Sequence, residues 1–170
     1  KNKESNVFTP AYINHEDGSR SFAVEDITDD EYIILKKLDT SKLPLAIRAR
    51  VSDLLWDTKK DFKYARVAIE SYGEIFIDVF DVNKWTTCVD VITRAVVIAA
   101  QLGKNNNDLL KDIYDLIVDK LNELDGEDPL FLSIKLIELL YKQKYGDYFS
   151  YINLIDKIIQ LYSIGRIINK

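Results

Sequence analysis

The chain has 170 residues, enough for one domain with a packed core that needs no disulfide or metal to hold it together. Apolar residues make up 47% and charged residues 30%, a balance typical of globular proteins and not of disordered or collagenous ones. The formal net charge of -5 argues against a surface that neutralises the phosphates of duplex DNA.

Cysteine usage and hydropathy restrict the environment of the chain. Cys88 is the only cysteine, which excludes a disulfide framework or a cysteine metal site within one chain and suits a reducing cytoplasm. The longest apolar run, 91–102, is interrupted by polar residues and is much shorter than the ~20 residues that cross a bilayer. The chain contains no methionine and opens with KNKES, which resembles neither a start nor a signal peptide. We therefore interpret it as part of a longer cytoplasmic protein without a membrane segment.

The N-terminal part divides into an arm and a first helix. Residues 1–27 include Pro10 and many polar side chains without helical periodicity, which predicts an extended or looped arm. A helix is predicted from Thr28 to about Leu38, because Thr28 can cap it while Glu31 reaches back to the cap amide.

The next two helices are predicted to form a hairpin. Pro44 suits the first turn of the first helix, and Asp61 suits the cap of the second. The first helix has two apolar stripes, which predict neighbours on both sides. The stripes are Ile47, Val51, Leu54 and Leu55, and Leu45, Ala49, Ser52 and Trp56. One face of the second helix contains Phe62, Ala65, Ile69, Tyr72 and Phe76.

Four helices are predicted in the remainder of the chain. A wide apolar face that begins after Asn83 and ends at Gly103 predicts the most buried helix. Asn107 begins another helix, Pro129 opens one that stops near Gly146, and a last helix follows.

The spacing of these units suggests an architecture. Hairpins starting near Pro44, Lys84 and Pro129 are separated by roughly 40 to 45 residues, in the range of HEAT-like or armadillo-like repeats. The units share no clear residue-level similarity, so an irregular stack and a true repeat array both remain open. The predicted fold is all-α, an irregular stack of antiparallel helical hairpins (HEAT/armadillo/TPR-like), with residues 28–170 as a single domain.

Several stretches between residues 8 and 72 resemble the N-terminal helical domain of a family of large bacterial proteins of uncharacterised function. They are 18–22, 24–26, 48–56 and 60–61, followed by Ala65, Ala68, Ile69 and Tyr72. The resemblance implies that this part precedes a C-terminal domain of the HEPN type, a class that includes RNA-cutting toxins and defence proteins. HEPN nucleases typically use an arginine followed a few residues later by a histidine. His15 is the only histidine and no arginine precedes it, so any RNase chemistry would lie outside this chain.

A charged trio in the matched stretch is the main polar candidate. Arg50, Asp53 and Asp57 fall on one predicted helical face, at a spacing that allows an ion pair and would also suit an anion or acid site. We interpret the trio as structural, with Arg50 oriented by the carboxylates against a neighbouring helix or the arm. Arg48 is expected to be the more exposed arginine and therefore the better candidate for contact with a partner.

The tryptophans allow two interpretations. Large aromatic side chains dominate interface energetics, so Trp56 and Trp85 could bind bases or a peptide, but each fits an apolar stripe and core packing is favoured. The full set of structural or interaction candidates is Arg48, Arg50, Asp53, Trp56, Asp61 and Tyr72.

Catalytic and cofactor motifs are not evident in the sequence. His15 alone cannot supply the ligands of a transition-metal site. We find no phosphate-binding glycine loop, nucleophile elbow, paired zinc motif or dinucleotide fingerprint. We therefore expect no enzyme activity, no catalytic residue, no metal and no cofactor in this chain.

The function expected from these observations is that of a non-catalytic helical scaffold or protein-interaction domain, which positions a separate effector domain. Its expected partners are the C-terminal domain of the same chain or another protein, and not DNA or a membrane. The alternative is a regulatory or RNA-feeding part of a HEPN-type RNA-targeting defence protein. RNA binding would require a basic groove formed by Lys59, Lys60, Lys63 and Arg66, which the net charge disfavours.

Overall fold

The computed structural model describes residues 27–102 and 107–123, two short strands before them, and the single position Ile159. The chain divides into two compact units, Lys1–Leu102 and Gly103–Lys170, and each unit is described by itself.

A small hairpin lies within the segment predicted to be an extended or looped arm. Strand β1 (Tyr12–Asn14) pairs antiparallel with strand β2 (Arg20–Phe22). In this register Tyr12 lies opposite Phe22. The remaining described elements are helical, which confirms the all-α fold class.

The first helix, α1 (Asp29–Lys36), begins with the predicted capping box. The Thr28 hydroxyl accepts a hydrogen bond from the Glu31 amide at 3.3 Å, and the Glu31 carboxylate accepts one from the Thr28 amide at 2.7 Å. Only Tyr32 of this helix is buried. A single 3₁₀ turn, Thr40–Lys42, connects α1 to the next helix.

Three longer helices form the body of the first unit. Helix α2 (Leu45–Lys59) packs against α3 (Phe62–Asp81), which confirms the predicted hairpin. Helix α3 also packs against α4 (Trp85–Gln101). Helix α3 is therefore the element that α2 and α4 have in common as a neighbour.

The connections between these helices follow from local chemistry. Pro44 occupies the cap position of α2, one residue before the predicted first turn. Lys60 adopts the left-handed conformation with a φ of 54°, which ends α2 although no glycine is present. The Asp61 carboxylate accepts a hydrogen bond from the Lys63 amide at 3.1 Å, so its predicted role as a helix cap is confirmed. Asn83 is the second left-handed residue, in the turn before α4.

The core of the first unit is apolar and closely packed around α3 and α4. On α3, Tyr72 and Phe76 are fully buried. The fully buried residues of α4 are Cys88, Val91, Ile92, Ala95, Val96, Ile98 and Ala99. Their spacing covers an arc of about 160° around the helix axis at 3.6 residues per turn, which is the wide apolar face that the sequence predicts for this helix.

Several predicted core residues lie at or near the surface, and three of them show the reason. The side chains of Ile47 and Phe62 are 50% and 62% exposed, and Trp85 is half-buried. All three lie in the first turn of their helices. A stripe that is buried in the middle of a helix becomes accessible at its end, where the neighbouring helix no longer covers it.

Apart from Ile159, the described part of the second unit is a single helix, α5 (Asn107–Glu123), which begins at the predicted residue. Its described side chains include four that are buried, Leu109, Leu110, Ile113 and Ile117. The helices predicted from Pro129 onward lie outside the described residues. The repeat-like stack and the single domain over 28–170 therefore stay predictions. Among the described helices, none has both the length and the apolar composition that crossing a bilayer requires.

Candidate functional site

A cluster of three polar side chains joins the three longer helices, and we call Asp53, Tyr72 and Arg94 the buried polar cluster. Asp53 comes from α2, Tyr72 from α3 and Arg94 from α4. The Asp53 side chain is only 1% exposed and the Arg94 side chain 13%. A charge this deeply enclosed is found in proteins almost only when it is paired.

The Asp53 carboxylate receives donors on both of its oxygens. Arg94 donates from Nη2 to Oδ1 at 2.7 Å and from Nε to Oδ2 at 2.9 Å, so the two groups form a bidentate pair. The Tyr72 hydroxyl donates to Oδ2 at 2.7 Å. Arg94 Nη2 also lies 3.5 Å from a carboxylate oxygen of Asp57, which is partly exposed at the edge of the cluster. The buried carboxylate is thus neutralised and hydrogen-bonded at once.

The electrostatics of the buried polar cluster fix the protonation states of Tyr72 and Arg94. Burial, followed by the charge and the hydrogen bond of Asp53, raises the pKa of the Tyr72 phenol well above its ordinary range. For Arg94, burial alone would lower the pKa, but the hydrogen bonds and charge of Asp53 outweigh burial and raise it. Tyr72 therefore remains a neutral donor and Arg94 a cation near neutral pH. Neither group is suited to exchanging a proton with a substrate.

The structure adds a cation to the predicted trio of Arg50, Asp53 and Asp57. The Arg94 guanidinium from α4 lies 2.7 Å from the Asp53 carboxylate and 3.5 Å from the Asp57 carboxylate. Arg50 is half-buried and close enough to Tyr72 for its charge to act on the phenol. In the sequence, Arg94 is one of the polar residues that interrupt the apolar run 91–102. An arginine in the middle of the most apolar helix was nevertheless a signal, because it requires a buried acidic partner.

The expectation that Arg48 is the more exposed arginine finds no support. Arg48 and Arg50 are both half-buried. Arg48 donates from Nη2 to the carbonyl oxygen of Leu43 at 3.3 Å, just before α2 begins, and its Nε atom is buried. Arg48 therefore supports the connection between the 3₁₀ turn and α2 instead of extending into solvent.

Trp56 is a core residue, as predicted, with 3% of its side chain exposed. Its ring contacts Phe62 with a centroid distance of 6.0 Å, and the Lys60 ammonium lies 5.1 Å from the ring centroid. Trp85 differs, because it is half-buried and packs edge-on against Phe80 at 5.3 Å. Only Trp85 therefore presents part of an indole to the surface, beside a shallow depression around Asn83–Thr87.

The basic residues considered for RNA binding are engaged with acidic or aromatic side chains. Lys59 pairs with Asp29 of α1, and Lys60 pairs with Asp57 at 2.9 Å. Arg66 lies 3.9 Å from Glu70, and the Lys63 ammonium lies over the Tyr64 ring. These residues do gather at the α2–α3 connection, but acidic side chains offset most of their charge.

The remaining reactive residues form no centre within the described part of the chain. Among those residues, no group of three His, Cys, Asp or Glu side chains is placed to hold a metal ion. His15 lies outside the described residues. Cys88 is fully buried in α4, and burial raises the pKa of its thiol to about 12, so the thiol is unreactive at neutral pH.

The fold and the cluster define an all-α domain with an interhelical ion pair in its core. Comparison with protein families identifies the family. The family described as "Domain of unknown function (DUF7380)" matches residues 1–111, which is more than half of the chain, and the chain belongs to it. No curated protein and no solved structure matches the chain. The matched residues include α1 to α4 and therefore the whole buried polar cluster.

Proposed function

We propose that this chain is a non-catalytic helical domain that acts through protein contacts and positions a separate effector domain of a larger bacterial protein. The observation that carries this proposal is the buried polar cluster. Asp53 is the only fully buried charged residue in the described part of the chain, and its oxygens are engaged by groups from two neighbouring helices. A carboxylate in this state fixes helices relative to one another and has no open position for a substrate.

The accessible surface supports contacts with proteins. Large apolar side chains are exposed on α1, just after its cap and in the first turn of α2, namely Ile33, Ile34, Leu38 and Ile47. Ile33 and Ile34 are neighbours on α1, and exposed apolar side chains that cluster often mark interaction sites. The described residues include no histidine, and their one cysteine, Cys88, is buried.

The non-catalytic part of the proposal is tested by activity assays. The chain should not hydrolyse single-stranded RNA, nucleoside triphosphates or phosphomonoesters, because it lacks the groups that these reactions need. The Asp53→Asn variant, which removes the buried negative charge, is assayed beside the wild-type chain as the matched sample. Turnover that co-purifies through two columns and disappears on a single substitution would overturn the proposal.

The scaffold part is tested by binding. The resemblance to the bacterial family implies a HEPN-type domain downstream, and this expectation belongs to the same proposal. The segment that follows residue 170 in the reading frame is produced as a separate polypeptide and titrated calorimetrically with this chain. Saturable binding is expected. Heat changes no larger than dilution, with both polypeptides folded, would contradict the scaffold role.

A second candidate function is the feeding of RNA to such an effector domain. It is favoured by one observation, the exposed ring of Phe62 among Lys59, Lys60 and Lys63, since exposed aromatics within a basic region can stack on bases. Asp29 and Asp57 argue against this second function, because they pair with Lys59 and Lys60 and offset their charge. Fluorescence anisotropy with single-stranded RNA at low and physiological salt distinguishes the two functions. Binding at physiological salt that is lost in Phe62→Ala would favour RNA feeding over the scaffold role.

A further inference from the structure

Helix α1 presents one continuous face to solvent. Asp30, Ile33 and Ile34, with Lys37 at the C-terminal cap, occupy positions i, i+3, i+4 and i+7, which share one side of a helix. Leu38 follows directly after the cap. The side chains of Ile33, Ile34 and Leu38 are 52%, 62% and 42% exposed. Tyr32, the buried residue of α1, lies on the opposite side of the helix. We call these five residues the outer face of α1.

The charges on the outer face are arranged so that its two ends are complementary. Asp30 lies in the first turn and Lys37 forms the C-terminal cap, seven residues apart, which corresponds to about 10 Å along the axis. Both are exposed. Neither forms an ion pair in the described part of the chain, whereas Asp29 on the adjoining side pairs with Lys59. Ile33 and Ile34 lie midway between Asp30 and Lys37 in the sequence.

This pattern is self-complementary. When two copies of α1 are placed antiparallel, with a two-fold axis between Ile33 and Ile34, Asp30 of one copy meets Lys37 of the other. The same operation places Ile33 against Ile34. A two-fold interface requires this reciprocity, in which residue i meets residue j and residue j meets residue i.

We propose that the outer face of α1 binds the same face of a second copy of this chain, forming an antiparallel two-fold dimer. The inference rests on the proposed function in that it takes the domain to act through protein contacts. Salt bridges between Asp30 and Lys37 fix the antiparallel direction, because a parallel arrangement would place like charges together. The isoleucines and Leu38 supply the apolar area.

The expected dimer is weak. The outer face has two isoleucines from a helix of eight residues and Leu38 just beyond the cap, and this offers less area than the ~1,200 Å² at which stable interfaces begin. The association is therefore concentration-dependent, with a dissociation constant expected in the range of about 10 to 1,000 µM. This range is accessible to sedimentation equilibrium on the full chain.

The proposed dimer is tested by reversing the charge at one end of the outer face, at Asp30 or at Lys37. In Asp30→Lys two lysines face each other across the axis, and in Lys37→Asp two aspartates do. Each variant alone should dimerise at least about tenfold more weakly than the wild type, since like charges oppose each other twice. An equimolar mixture of the two should form a heterodimer of near wild-type affinity, because every facing pair is again of opposite sign. Asp78→Lys, an exposed exchange on α3, is the control and should leave association unchanged.

The outcomes that would overturn the inference are specific. The first is a wild-type chain that stays monomeric up to about 1,000 µM. The second is a dimer that persists in both single variants. The third is a mixture of the two variants that fails to associate although far-UV circular dichroism shows that both are folded. Loss of downstream-polypeptide binding in the single variants would also overturn it, by showing that the effector domain occupies this face. That last result would leave the proposed scaffold function standing, so the two proposals fail separately.

Discussion

At the scale of single residues, the main feature of this domain is the buried carboxylate of Asp53. Removing a charge from water is costly, and the cost is recovered only when a partner of good geometry satisfies the remaining lone pairs. Arg94 and Tyr72 provide three contacts of 2.7 to 2.9 Å. A buried ion pair is not always more stabilising than an apolar replacement. It does exclude arrangements of α2, α3 and α4 in which the three groups fail to meet.

Tyr72→Phe removes one donor from this carboxylate and leaves the ring in place. We expect a loss of about 1 to 3 kcal/mol in the free energy of unfolding, the range for hydrogen bonds to charged groups. Urea melts with equal slopes give the value from the midpoints. Tyr114→Phe, on a half-buried tyrosine of α5, is the comparison. A wild-type midpoint for Tyr72→Phe would show that the hydroxyl contributes nothing to the cluster.

The same variant gives a prediction for pH. Burial and the Asp53 charge raise the pKa of Tyr72, whereas in the unfolded chain the phenol ionises near its ordinary value of ~10. Its contribution to stability is therefore complete below pH ~10 and is lost as the pH rises further, because the unfolded state alone releases the proton. The difference in the free energy of unfolding between the wild type and Tyr72→Phe should narrow by about 1.4 kcal/mol between pH ~8 and ~11. A difference that stays constant would contradict the raised pKa.

Helix ends are the features that the sequence determines best at the element scale. The capping box of Thr28 and Glu31 and the cap at Asp61 involve partners two or three residues apart, so a short stretch of sequence contains all the information. The first turn of a helix is less predictable. Burial there depends on how far the neighbouring helix extends, which explains the exposure of Ile47 and Phe62.

Thr28→Ala tests the importance of the cap for α1. A helix of eight residues is too short to be stable by itself, so it depends on its cap and on its packing against α2. We expect a loss of about 1 kcal/mol and faster amide exchange within α1, measured by hydrogen exchange. Thr86→Ala, an exposed threonine in the first turn of α4, should change exchange in α1 little. Equal effects of both substitutions would argue against a specific role for the capping box.

At the scale of the whole molecule, the core around α3 requires large side chains from all its neighbours. Trp56→Ala should lower the free energy of unfolding by about 3 to 5 kcal/mol, as is usual when a buried tryptophan is truncated. Trp85→Ala should cost clearly less, because its ring is half-buried. Urea midpoints compare the two directly. If Trp85→Ala were the more damaging substitution, the assignment of Trp56 to the core would be wrong.

Periodicity and capping were sufficient to predict the all-α class and the α2–α3 hairpin, because both depend on patterns within a few turns. They also identified Asp53 and Tyr72 as residues of interest. They could not identify the cation, because Arg94 lies 41 residues from Asp53 and only the packing of α4 brings it there. Helical spacing instead favoured Arg50, which is near in sequence. Contacts between distant helices are the part of the site that local patterns do not encode.

The most direct test of the structural role of the buried polar cluster is a set of urea melts on Arg94→Ala, Arg50→Ala and Arg66→Ala. Arg94→Ala leaves Asp53 buried without its cation, so we expect a loss of about 3 to 5 kcal/mol. Arg50→Ala should cost less, about 1 to 3 kcal/mol. Arg66→Ala removes an exposed pair with Glu70 and should change stability by less than ~1 kcal/mol. A wild-type midpoint for Arg94→Ala, or a larger loss for Arg50→Ala, would contradict the assignment of Arg94 as the partner of Asp53.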